Sequence, residues 1–151
     1  MKRRWSLRWP ARFVAPFEGY RSTAYQDSGG VWTIAYGRTS GVYPGQTTNR
    51  AQALRWLAQD LREASAAVKR NVRVKLTVRE RIATISFVFN VGEGGLQSST
   101  FLRELNAGNK RRAADALRLW VKDAAGNTLL GLQRRRAAER WLFIHPRKDH
   151  R

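Results

Sequence analysis

A change of apolar period near residue 48 constrains this chain more than any other feature. Glycine and proline concentrate between residues 28 and 45 (Ser28-Gly29-Gly30, Gly37, Gly41, Pro44-Gly45), and the residues between alternate. Val31, Thr33 and Ala35 fall on one face, and Trp32, Ile34 and Tyr36 on the other. Period two in β-rich sequence after a Gly-Gly turn predicts a hairpin, with Tyr25 near the end of its first strand. From Asn49 onward the period is helical. Asn49 and Gln52 have capping-box spacing, and Leu54, Leu57, Leu61 and Val68 then share one face. Thr77-Val78-Arg79-Glu80 is a second box, opening a helix through Ile82, Ile85 and Val88-Phe89 that stops near Gly92. Further helices are expected from about Ser99 to Ala107, from an Asn109 cap through Leu117 and Trp120, and over roughly Gln133 to Phe143. With a helix before the hairpin, the order is that of an α+β chain, a small β-lobe beside a larger α-lobe.

Composition removes several function classes. The 151 residues suffice for one core but not two independent ones. No apolar run approaches the ~18 residues of a membrane span. With 42% hydrophobic and 11% aromatic residues the chain is no disordered basic tail. Cysteine is absent, which excludes disulfides and thiolate-bound zinc. His145 and His150 lie in a polar tail without a partner at ligand spacing, so no metal and no cofactor are expected. Trp56, Trp120 and Trp141 fall at helical spacings among aliphatic residues and read as core, not as sugar platforms.

The charge is the first positive clue. Lys and Arg number 29 against 11 Asp and Glu, and 29 − 11 gives +18, which attracts a polyanion. The polyanion is a nucleic acid, an anionic lipid surface or an acidic wall polymer. The basic clusters (Arg3-Arg4, Lys69-Arg70, Lys110 to Arg112, Arg134 to Arg136) are scattered along the chain and match no nucleic-acid motif. At the start, Arg8, Pro10 and Arg12 interrupt any apolar run, so residues 1–13 read as a basic, Trp-bearing arm and not a signal peptide. Such an arm either meets an anionic membrane interface or folds back with Trp5 and Trp9 over core surface. The expected organisation is this arm, a single domain over 14–145 and a polar tail over 146–151.

Two carboxylates stand in unlike settings. Glu18 ends the first helix between Phe17 and Gly19-Tyr20, where apolar neighbours would favour its protonated form. Asp27 sits in a polar turn before Ser28-Gly29-Gly30, where it stays ionised. One acid to protonate a leaving oxygen and one carboxylate for the anomeric side are what glycosidic cleavage requires. Thr33, on the second strand, offers a hydroxyl to hold a water. The bland reading is also open: a helix-end Glu in solvent, a turn Asp serving its own backbone, and a Thr that is simply a good strand former.

These residues resemble a family. Phe17-Glu18-Gly19, then Asp27, then Gly30-Val31-Trp32-Thr33-Ile34-Ala35-Tyr36-Gly37 is similar to the signature of phage-type lysozymes, glycoside hydrolase family 24. Ser86 to Gly94, Ser99 to Asn106 and Gly131 to Arg140 resemble later segments of that family in the same order, from about Val14 to Phe143. The resemblance implies a lysozyme-like fold with the cleft between its lobes. It implies hydrolysis of the bond between N-acetylmuramic acid and N-acetylglucosamine in peptidoglycan, for host lysis. By position Glu18 would be the acid, Asp27 the second carboxylate, Thr33 the residue placing the water, and Arg135 the support of Glu18. Tyr36, Phe89 and Asn90 are the further cleft candidates. Arg134 and Arg136 read as a solvated basic face. Two residues depart from the family pattern Ile-Gly-Tyr-Gly-His: Ala35, which costs little if its φ is negative, and Arg38 in place of the histidine.

The expected partners are the glycan chain and an anionic envelope surface met by the arm, with no specific nucleic acid and a monomeric chain. The expected location is the host cytoplasm until a membrane lesion. Two rival readings stand beside this one: a lytic transglycosylase, which uses a Glu without the second carboxylate, and a non-enzymatic basic nucleic-acid-binding domain.

Overall fold

The computed structural model describes residues 4–146. By contact the chain divides into two compact units, one over residues 4–62 and the other from Glu63 onward.

The first unit opens on α1 (Arg8–Val14), continued by a 3-10 turn over Ala15–Phe17. The Ser6 hydroxyl accepts the Arg8 N–H at 3.2 Å. Pro10 sits in the first turn, where a backbone N–H has no intrahelical partner to lose. The helix therefore begins inside the basic arm, and Pro10, Ala11 and Val14 are buried. Trp5 and Trp9 meet edge-to-face at 5.6 Å, both half-buried.

Next come β1 (Arg21–Gln26) and β2 (Trp32–Ala35), an antiparallel pair in the register Tyr25↔Thr33 and Gln26↔Trp32. Between Tyr25↔Thr33 and Arg21↔Ala35, β1 advances four residues while β2 advances two, which marks a bulge. Residues 46–48 flank β1, with Ala24 N–H donating to Gln46 O at 2.9 Å and Thr48 N–H to Ser22 O at 2.8 Å. The expected alternation does not appear in burial: Thr33, Ile34 and Ala35 are all buried. Ile34, Ala35 and Ala53 form a cluster against which Tyr20, Ala24, Tyr36, Val42 and Trp56 pack.

Ala35 corrects an expectation, because its φ is +59°. Ile34 and Arg38 exchange backbone hydrogen bonds at 2.9 Å, and the tight return between them holds left-handed residues at Ala35 and Gly37. Arg38 reaches Asp60 at 3.3 Å and lies 5.2 Å from the Trp56 ring. Burial still holds the Asp60 carboxyl above its ordinary value, against the pull of Arg38.

The boundary between the units falls within α2 (Arg50–Asn71). Asn49 caps it through its Oδ1, which accepts the Gln52 N–H at 2.9 Å.

In the second unit, α3 (Val78–Ser98) starts on a complete capping box: Thr77 Oγ1 accepts the Glu80 N–H at 3.2 Å, and Glu80 Oε1 accepts the Thr77 N–H at 2.8 Å. Gly92, at φ 80° and ψ 166°, breaks the helix as expected, but helix resumes beyond it to Ser98. Ser99 caps α4 (Thr100–Asn106) by accepting the Leu102 N–H at 3.0 Å. Asn109 precedes α5 (Lys110–Ala116) without capping it; its amide donates to Glu104 at 2.9 Å instead. A turn at Asp123–Asn127 leads to α6 (Leu130–Ile144), which starts three residues before the expected Gln133.

The core of this unit is aromatic. Phe87 meets Phe101 at 5.1 Å and Trp120 at 5.7 Å, and Phe101 meets Phe143 at 5.5 Å. Trp141 does not join it: the residue is 48% exposed, stacks on His145 at 4.3 Å and receives the Arg79 guanidinium at 5.1 Å. His150 lies outside the described residues. Among the described residues no helix is long and apolar enough to cross a membrane.

Candidate active site

Glu18 is set by the end of the 3-10 turn. Its N–H donates to Ala15 O at 3.1 Å, and its backbone then turns extended (φ −100°, ψ 137°). The half-buried side chain lines a cavity of about 350 Å³ with Arg12, Ala15, Pro16, Tyr20, Tyr36, Arg50 and Leu54. The expected apolar neighbourhood is there in Ala15, Pro16 and Leu54, but two guanidiniums share the wall. Tyr20 and Tyr36 lie 5.3 Å apart, and the Arg50 guanidinium stands 4.2 Å from the Tyr20 ring centre. Apolar walls with a few polar groups are the usual make-up of a ligand pocket.

Asp27 and Thr33 are joined through Val31. Asp27 Oδ1 accepts the N–H groups of Gly29 and Val31, each at 2.9 Å. The Asp27 N–H donates to Val31 O at 2.9 Å, and the Thr33 hydroxyl donates to the same carbonyl at 3.0 Å. One Asp27 oxygen is thereby fixed by the turn, while Oδ2 has no hydrogen bond among the described residues, and the residue is exposed. The buried Thr33 hydroxyl spends its proton on Val31, so its lone pairs can only accept, which suits a water.

The remaining candidates belong to the second unit. Phe89 is half-buried and Asn90 exposed, both on α3. Arg135, on α6, is 3% exposed; its Nε donates to Ser86 Oγ at 3.3 Å and its Nη2 to Ser86 O at 3.1 Å. Arg134 is exposed as expected, but Arg136 is not on a solvated face. It is 2% exposed, with its guanidinium 5.0 Å from the Phe87 ring centre, Nη2 donating to Asn90 Oδ1 at 2.8 Å, and Nε 2.8 Å from Glu139 Oε1.

Glu139 is 0% exposed and went unnoticed in the sequence. Its Oε2 accepts the Ser86 hydroxyl at 2.7 Å and lies 3.7 Å from Arg135 Nε. Burial raises its carboxyl to about 7, against the opposing pull of Arg136, Ser86 and Arg135. Burial likewise lowers the Arg136 guanidinium to about 10. The available signal was the Arg135-Arg136-x-x-Glu139 spacing, which places both arginines one helical turn from the acid. Arg12, Tyr20, Arg50 and Leu54 of the cavity were also missed. No group of three or more His, Asp or Glu among the described residues is placed to hold a metal ion.

A family model described as phage lysozyme matches residues 15–139. An endolysin of Bacillus phage B103 is 38% identical over 134 residues, covering 87% of this chain and 51% of that protein. An endolysin of Acyrthosiphon pisum secondary endosymbiont phage 1 is 35% identical, covering 86% of this chain and 91% of that one. Among solved structures, the muramidase domain of SpmX from Asticaccaulis excentricus is 34% identical with a TM-score of 0.86, covering 95% of this chain and 100% of that one. A P22 lysozyme mutant is 35% identical with a TM-score of 0.84, covering 96% and 100%. The chain spans about half the length of the Bacillus phage protein and 66% of the SAR-endolysin of Escherichia phage 933W.

Proposed function

The chain belongs to the phage lysozyme family, and from that premise we propose that it is an endolysin that hydrolyses the bond between N-acetylmuramic acid and N-acetylglucosamine in peptidoglycan. The observation that carries this reading is a half-buried Glu18 lining a cavity in the same unit as an Asp27 carboxylate that its own turn fixes and links to Thr33 through Val31. Glu18 donates its proton to the leaving glycosidic oxygen. Asp27 acts on the anomeric side through Oδ2, the oxygen its turn leaves unused. A water that donates to Thr33 Oγ1 is positioned for attack. Arg135 supports Glu18, and Tyr36, Phe89 and Asn90 contact the sugar chain.

The exposed Arg4, Arg8 and Arg12 offer a basic side to an anionic envelope surface. Storage in the host cytoplasm until a membrane lesion is the matching proposal for location; it requires that expressing cells lyse only after permeabilisation.

Mass spectrometry of digested peptidoglycan tests the chemistry. Hydrolysis leaves reducing N-acetylmuramic acid ends. An anhydro-muramic product would make the protein a lytic transglycosylase and remove the role given to Asp27 and Thr33.

A further inference from the structure

The proposed mechanism makes no use of Glu139, the most deeply buried acid among the described residues. Glu139 places its two oxygens on two different arginines. Oε2 takes the Ser86 hydroxyl at 2.7 Å and lies 3.7 Å from Arg135 Nε, while Oε1 lies 2.8 Å from Arg136 Nε. Each branch runs on to a residue assigned to the site. Ser86, held by Glu139, receives Arg135 through both its hydroxyl and its carbonyl. Arg136, held between Glu139 and the Phe87 face, donates to Asn90 at 2.8 Å.

A buried ion group is commonly replaced by apolar residues of similar volume without loss, so net stability is a weak account of such a cluster. Nor is this one optimised as a set of hydrogen bonds. The Arg136 Nε to Glu139 Oε1 contact is close but out of line, and Arg136 Nε, Arg136 Nη1 and Glu139 Oε1 are left without hydrogen bonds. What the arrangement does supply is orientation. An arginine side chain has many rotamers, and Arg135 is confined here by two donor contacts and a carboxylate.

We infer that Glu139 is a positioning residue that fixes the Arg135 guanidinium through Ser86 and the Asn90 amide through Arg136. This rests on the support role given to Arg135 under Proposed function.

A double-mutant cycle on purified peptidoglycan tests it, with melting temperatures as a check on folding. Ser86→Ala is expected to lower kcat roughly tenfold while KM stays within about twofold, the mark of lost orientation. In an Arg135→Gln background the same Ser86→Ala change should cost less than about twofold, since the group it acts through is gone. Glu139→Gln should behave in the same way; if it fails to fold, Glu139→Asp takes its place in the cycle. Equal losses in the two backgrounds would overturn the inference, because Ser86 would then not act through Arg135. Where Arg135→Gln fails to fold, Arg135→Lys serves as the background. Wild-type kcat in Arg135→Gln would contradict the support role itself. An impaired Arg135→Gln beside a fully active Ser86→Ala would overturn the positioning inference alone.

Discussion

At Ala35, backbone strain, methyl burial and chain entropy nearly cancel. At φ +59° a residue with a Cβ is strained by roughly 1–2 kcal/mol. Glycine would relieve that strain, but it gives up a buried methyl worth about 0.8 kcal/mol. Its looser unfolded chain costs a further ~0.5–1 kcal/mol. Ala35→Gly should therefore leave the urea midpoint of unfolding nearly unchanged, within about 1 kcal/mol of stability. Ala35→Val adds branching at a left-handed position and overpacks the Ile34–Ala53 cluster, and should cost about 3 kcal/mol. A valine variant as stable as wild type would show that the turn does not hold Ala35 left-handed. The sequence shows an Ala in place of Gly but not its φ, because tertiary closure of the Ile34–Arg38 loop decides that angle. The same limit hid Glu139. Three consecutive arginines look alike in sequence whether one or all of them face solvent. Glu18, Asp27 and Thr33 could be singled out because acid type, turn context and family spacing are all local.

Elements were legible where local chemistry starts or stops them. Thr77 and Glu80 announce α3, Ser99 announces α4, and the Gly-Gly turn with its alternation announces the hairpin. The helix beyond Gly92 was not, because its glycine-rich start has low helix propensity and packing carries it. The α3–α6 pair also sets a pH dependence. Glu139 is raised by burial from 4.5 to about 7, so the unfolded chain ionises first as pH rises. Between those values the folded state holds the extra proton, and stability falls with rising pH before levelling off above about 7. The raised Asp60 acts in the same direction. Urea midpoints should therefore fall from pH 5 to pH 8, and fall less in Glu139→Gln. Equal pH slopes in the two proteins would show that Glu139 does not carry the effect.

At the scale of the molecule, the hairpin-plus-helices class and the family were legible, whereas the place of the boundary between the two units was not. That boundary lies inside α2, where Leu57, Leu61, Ala64 and Val68 continue one buried pattern without glycine, proline or a linker. The +18 charge is a property of the whole chain, and exposed-charge attraction is screened beyond about 10 Å at 0.1 M salt. Binding to purified wall should weaken markedly from low to high salt, while turnover at saturating substrate changes less. Salt-insensitive binding would remove the charge from substrate capture. The central claim is that Glu18 is the general acid. Turbidity loss of purified peptidoglycan with wild type beside Glu18→Gln tests it most directly, since the amide keeps the shape but has no acidic proton to give. With the melting temperature preserved, activity should fall by at least ~100-fold; a variant retaining more than about a tenth of wild-type activity, a loss well short of the smallest usual general-acid effect, would contradict the account.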